Sequence, residues 1–185
     1  MPTNATPNAQ TAKRAASGAA VAVQFACAAR RLPSAAHFRT WARAAAGGPA
    51  TLTIRLVTSR EARALNAAYR GANYVPNVLS FSYSGVRSTF PGPSGEASGL
   101  RGNVDLTPFT RCGDIVLCPS VVAREARAQR KPLEAHFAHL TVHGVLHLLG
   151  YGHAGARAAA RMERAEVRIL RALGFANPYR PAARR

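Results

Sequence analysis

Five of the chain's six histidines fall within eighteen residues, at His136, His139, His143, His147 and His153. The first four step by three and four positions, which sets them on one face of a helix. Burying that many imidazoles costs free energy unless something uses them, and imidazole is the commonest protein ligand for a metal. Geometry narrows the set. Zinc takes histidine nitrogens at about 2.1 Å, so two histidines at i and i+4 can share one ion. His139 and His147 lie about 12 Å apart along a helix axis and cannot. The pair is therefore His139/His143 or His143/His147. After His147 the run Leu148-Leu149-Gly150-Tyr151-Gly152-His153 offers a third donor. Gly150 can adopt positive φ and end the helix sharply, and the chain then returns His153 to the ion. No comparable turn serves His139. The expected ligands are His143, His147 and His153, holding one zinc ion per chain.

Three imidazoles leave one corner of a tetrahedral ion open, the arrangement of a catalytic site rather than a closed structural one. Water in that corner becomes acidic, with a pKa near about 7. The spacing is similar to that of the metzincin proteases, H-E-x-x-H-x-x-G-x-x-H. Here Gly144 follows the first histidine, so the carboxylate such proteases use as general base is missing. Peptide hydrolysis is disfavoured. A phosphodiester suits the site better, because zinc with an arginine can stabilise its anionic transition state.

The elements that must position these residues can be read from pattern. Strands are expected over 19–26, 51–58, 77–83 and 114–118, the second with Leu52, Ile54 and Leu56 alternating with polar positions. Helices are expected from Ser34 as N-cap to Ala46, from Ser59 as cap to Tyr69, from Pro119 to Arg130, from Leu133 to Leu149 and from Ala156 to Leu173, with Gly174 just beyond the end. The fold class is α+β: a small, mostly parallel four-stranded sheet with about five helices packed on it, one of them a metzincin-like metal helix. Residues 1–17 read as a disordered tail, 18–176 as one catalytic domain, and 177–185 as a basic tail, loose from Arg180 onward. Gly, Pro and Ser crowd positions 84–111, which read as a flexible loop or insert.

The charge is the unusual feature of the composition. Lys and Arg total 25 against 8 acids, a net charge of +17. Such a field gathers polyanions, RNA first among them. Cys27, Cys112 and Cys118 form an odd set without a C-x-x-C pair, which argues against a disulfide framework and fits free thiols in a reducing cytosol. The first sixty residues hold no acid, as in a transit peptide, but Gln24 interrupts an apolar stretch that reads equally as a strand. No apolar run is long enough to span a membrane. The chain is expected to be cytoplasmic.

The run from His143 to His153, followed by Met162, Glu163 and Glu166, resembles the YbeY endoribonucleases, or rRNA maturation factors. Leu65-Asn66, Tyr69-Arg70-Gly71 and Asn77-Val78-Leu79-Ser80-Phe81 are similar to its second signature, and Gly113-Asp114-Ile115 to its third. The likeness extends from about Val21 to Gly174. It implies a zinc-dependent, single-strand-specific endoribonuclease acting in 16S rRNA 3′-end maturation and ribosome quality control. Its partners would be RNA and the ribosome or its small subunit. It also implies a functional arginine, which here is Arg70. On charge placement alone Arg70 reads as a solvated charge or a partner to a helix C-terminus; with the resemblance it is the group that holds a phosphate oxygen.

Asp114, at an expected strand start, reads either as a partner orienting a ligand histidine or as a turn residue. Glu163 and Glu166 are expected to pair with arginines on their own helix; His136 and His139 read as a plain polar face, with lining the cleft or contacting RNA as the alternative. Of Phe81 and Tyr83, one is expected in the core and the other free to stack on a base. Three departures from the family pattern stand out: Gly152 where it usually has Asp, Ala72-Asn73 where it usually has Lys-Asp, and Pro76 where it usually has Thr. Two other readings remain: an assembly factor in which the metal is mainly structural, and a zinc peptidase or amidase.

Overall fold

The computed structural model describes residues 18–83 and 111–180. The N-terminal tail, the 84–110 part of the expected insert and the last five residues lie outside the described residues. Within them run β1 (Ala20–Phe25), α1 (Ala35–Ala46), β2 (Ala50–Leu56), α2 (Ser59–Arg70), β3 (Val78–Ser82), β4 (Arg111–Leu117), α3 (Pro119–Ala128), α4 (Leu133–Leu148) and α5 (Ala156–Ala172). The strands form one sheet in the order β1-β2-β4-β3. β1, β2 and β4 are parallel, and β3 runs antiparallel to β4 at the edge. The fold class expected from the sequence, α+β with a mostly parallel four-stranded sheet and five helices, is the one observed.

Local signals account for the elements. Leu52, Ile54 and Leu56 of β2 are buried while Thr51, Thr53 and Arg55 between them are not, the period of a strand with one face in the core. α1 starts at Ser34, whose Oγ accepts from the His37 amide. α2 differs from expectation: its N-cap is Thr58, whose Oγ1 accepts from the Glu61 amide, and Ser59 is already the first helical residue. A hydroxyl at either position can cap, so the pair of them left the register open. Gly71 then ends α2 at φ +64°, directly after Arg70.

α4 is the central helix. It packs against the sheet and against α1, α3 and α5. Phe38 on α1 joins Phe137 on α4 edge-to-face at 5.7 Å, inside a core that also holds Ile54, Ile115, Val142 and Val145. A second, smaller cluster, with Val57, Ala62, Leu79 and Val121, fixes α2 and α3 beside β3 and β4. The histidine face of α4 is not a solvated polar face. His136 is buried against Glu125 of α3, and His139 faces Glu166 of α5. Just before Arg180, the Pro178 carbonyl accepts from Lys131 and the Tyr179 hydroxyl donates to Glu166.

Candidate functional site

α4 carries His143 and His147 one turn apart, and Gly150 terminates it at φ +84°. The Gly150 amide donates to the His147 carbonyl and the Tyr151 amide to the Leu146 carbonyl, both at 3.0 Å, so the chain folds back over the helix end. This turn has two effects. It brings the His153 ring to 5.3 Å from that of His143 and 5.1 Å from that of His147. It also presents the Tyr151 carbonyl to Nδ1 of His147 at 3.0 Å. One ligand atom from each of His143, His147 and His153 then falls within 4.8 Å of the others.

The hydrogen bonds assign the tautomers. A carbonyl only accepts, so Nδ1 of His147 carries its proton. Nδ1 of His143 lies 2.7 Å from Oε1 of Glu166, a carboxylate, and carries a proton too. The opposite nitrogens are lone-pair acceptors, yet Nε2 of His143 and Nε2 of His147 approach to 3.0 Å. Two acceptors facing each other repel unless a cation lies between them or one takes up a proton. Burial, and next the neighbouring His143 and His153, push the His147 pKa down despite the Tyr151 carbonyl. That resists the proton and favours the neutral imidazole a metal requires. The donor set therefore fits a borderline-soft cation with nitrogen ligands.

Glu166 is the residue the sequence reading misplaced. It does not pair with arginines of its own helix. It is wholly buried, with Oε1 on His143 and Oε2 within 3.4 Å of His139 Nε2, and it accepts from the Tyr179 hydroxyl. Burial raises its carboxyl, but hydrogen bonds from His139, His143 and Tyr179 prevail and hold it at about 2. A signal existed: with Met162, Ala165 and Leu170, Glu166 lies on the buried stripe of α5, where a charge needs partners. His139, His143 and Glu166 form a second group close enough to hold a metal. The two groups share His143 through opposite nitrogens, and the arrangement of Glu166 on Nδ1 is that of a carboxylate orienting a ligand histidine.

Arg70, at the exposed end of α2, lines a hollow of about 600 Å³ together with His143, His147, Ser80 and Asn77. Asp114 is elsewhere. It sits within β4, not at its start, accepts from the Tyr83 hydroxyl at 2.5 Å, and lines a different hollow with Arg55, Glu61 and Tyr69. That bond, then burial, pushes the Tyr83 hydroxyl up to about 12. Phe81 packs edge-on against Tyr69 at 5.2 Å, so neither aromatic of β3 and its end is free. Of the three cysteines, Cys118 is buried and Cys27 and Cys112 are half-buried.

Gly144 is explained by packing. A Cβ there would lie 3.0 Å from Ile115 Cγ2 and 3.1 Å from Ser80 Oγ. The face of α4 next to His143 is pressed onto β3 and β4, so a side chain there requires Ile115 and Ser80 to give way.

The family model described as Endoribonuclease YbeY matches residues 26–174. The chain belongs to the YbeY endoribonuclease family. A relative named Endoribonuclease YbeY from Thiobacillus denitrificans is 46% identical over 159 residues, 86% of this chain and 95% of the relative. One from Alkalilimnicola ehrlichii is 49% identical over 154 residues, 80% of this chain and 83% of its own. One from Cupriavidus pinatubonensis is longer: the 47% identity spans 80% of this chain but 64% of that protein. A solution structure of TM1509 from Thermotoga maritima aligns over 87% of this chain and 99% of that one, at 18% identity and a TM-score of 0.49. YbeY proteins are, by name, enzymes that hydrolyse RNA internally. Among the described residues, no helix is long and apolar enough to cross a membrane.

Proposed function

We propose that this YbeY-family chain is a zinc-dependent endoribonuclease that cuts single-stranded RNA, and that it serves 16S rRNA 3′-end maturation and ribosome quality control in the cytoplasm. His143, His147 and His153 would hold the ion, and Arg70 would hold the phosphate. One observation carries the reading. An arginine with no ion pair or hydrogen-bond partner among the described residues opens onto the same hollow as two imidazoles whose lone pairs face each other at 3.0 Å. A zinc ion so held supplies Lewis-acid polarisation of a phosphoryl oxygen and of water.

The chain's own groups supply the rest. Arg70 offers paired N–H donors to a phosphate oxygen, where the transition state gathers negative charge. Glu166 and the Tyr151 carbonyl fix the two imidazole tautomers before substrate arrives. The peptidase reading is weakened because Gly144 stands where that chemistry needs a carboxylate, at a position packed tightly against Ile115 and Ser80. The structural-metal reading predicts that Arg70 is dispensable.

His147→Ala is expected to lose both bound zinc, measured by elemental analysis, and cleavage of a single-stranded oligoribonucleotide. Arg70→Ala is expected to keep the zinc and lose about 10²-fold in kcat, and Arg70→Lys to recover little of it, because the bidentate fork is gone. Full cleavage by metal-free His147→Ala would overturn the proposal. Full activity in Arg70→Ala would favour the structural-metal alternative.

A further inference from the structure

The described surface exposes five large apolar or aromatic side chains: Phe25, Tyr69, Tyr74, Tyr83 and Tyr179. Four of them are engaged. Phe25 meets Phe38 edge-on, Tyr69 packs on Phe81, Tyr83 donates to Asp114, and Tyr179 donates to Glu166. Tyr74, 61% exposed, has neither a ring partner nor a hydroxyl hydrogen bond among the described residues. Its main chain is nevertheless held. Asn66, wholly buried on α2, donates Nδ2 to the Tyr74 carbonyl at 3.1 Å. A fixed backbone carrying a free aromatic ring is a preorganised contact surface.

Tyr74 lines the hollow that holds Arg70, His143 and His147. A second guanidinium, Arg124 of α3, lines it too, exposed and without an ion pair or hydrogen bond among the described residues. The one acid on that wall does not neutralise it. The Glu125 carboxylate takes Asn77 Nδ2 at 3.0 and 3.3 Å and His136 Nε2 at 3.0 Å. The hollow thus presents one free aromatic face and two unpaired guanidiniums around the histidines. A single guanidinium would suffice for an isolated phosphate. Two with a ring match an extended strand, with one phosphate at the reacting position and a neighbouring nucleotide beside it.

We infer that Tyr74 and Arg124 form a nucleotide subsite next to the metal centre, in which Tyr74 stacks on an unpaired base and Arg124 takes the phosphate adjoining it. The inference rests on the endoribonuclease reading and adds a source of strand preference. A base can stack on a protein ring only when its own neighbour has moved away, which is easy in a single strand and unfavourable in a duplex.

The test uses the full-length, zinc-loaded protein and a single-stranded oligoribonucleotide carrying 2-aminopurine. Tyr74→Ala is expected to raise KM about 5- to 150-fold, the range for one lost base stack, with kcat and bound zinc unchanged. Tyr74→Trp should keep the wild-type KM. Quenching of 2-aminopurine on mixing, before cleavage, should be present in wild type and Tyr74→Trp and absent in Tyr74→Ala. Arg124→Gln should lower the slope of log affinity against log salt by about 0.7, one phosphate's share for a single strand. If wild type cleaves the oligonucleotide and Tyr74→Ala keeps its KM and its quenching, the subsite is overturned and the endoribonuclease reading stands. A Trp variant as weak as the Ala variant also overturns it, since the loss would then be of loop structure. A wild type that neither cleaves nor quenches overturns both.

Discussion

At the scale of single residues, the proposed metal centre depends on what lies behind its three histidines as much as on the histidines themselves. Glu166 holds His143 by Nδ1, so that Nε2 faces the centre. Carboxylates in this position typically tune metal affinity by about 10- to 100-fold, and Glu166→Ala should weaken zinc by that factor in a chelator competition. The same variant leaves the His139 and His143 ring nitrogens without their acceptor and should cost the metal-free protein about 1–3 kcal/mol. The pH dependence has a definite sign. The folded carboxyl sits at about 2, below its ordinary 4.5. Its contribution to stability is therefore complete above the ordinary value and is lost as the pH falls toward about 2. Urea midpoints of the metal-free protein should drop across that interval, and Glu166→Gln should flatten the drop; an unchanged acid limb would refute the assignment.

At the scale of elements, the turn after α4 is the part most exposed to substitution. Gly150 needs its left-handed φ, and a side chain there costs roughly 1–2 kcal/mol. Gly150→Ala should lower the melting temperature by about 2–8 °C and loosen zinc, because the same turn aims His153 and fixes His147. Gly152 has an ordinary φ and open space around a built Cβ. Gly152→Ala or Gly152→Asp should therefore leave both quantities near wild type, and calorimetry with zinc titration distinguishes the two positions.

Much of this layout was legible. Alternation revealed β2, three-and-four spacing revealed α4, and Gly150 announced where α4 stops. What periodicity could not convey was which elements meet. The histidine stripe of α4 looks polar in one dimension, but α3 and α5 cover it, so His136 and His139 belong to the interior. Asp114 looked like the start of a strand because Arg111, Cys112 and Gly113 lack apolar alternation; pairing with β2 recruits them all the same. The antiparallel placement of β3 at the sheet edge, which walls the hollow, likewise depends on long-range pairing. Glu166 could have been found from its helical position, but its partners lie 23 and 27 residues back in the chain.

At the scale of the whole molecule, charge sets the encounter with substrate. A net +17, with only 8 acids, draws RNA toward the surface before any specific contact forms. If about four phosphates are neutralised in the complex, raising salt from about 50 to 200 mM should weaken single-strand binding on the order of 10- to 100-fold. kcat at saturating RNA should change little, since that field acts on association. Affinity independent of salt would show that the basic surface does not touch the strand. The hollow itself is assembled from α2, β3, α3 and α4, so its shape reports on the packing of the entire domain.

The contact between Gly144 and the sheet carries one more implication, for what this scaffold can become. A laboratory attempt to turn it into a peptidase would begin by restoring the missing acid beside the first histidine. That single codon change would set a new Cβ 3.0 Å from Ile115 and 3.1 Å from Ser80, so those side chains would have to yield before the acid could be seated. A redesign toward peptides would therefore have to repack the seam between that helix and the sheet as well as supply the acid.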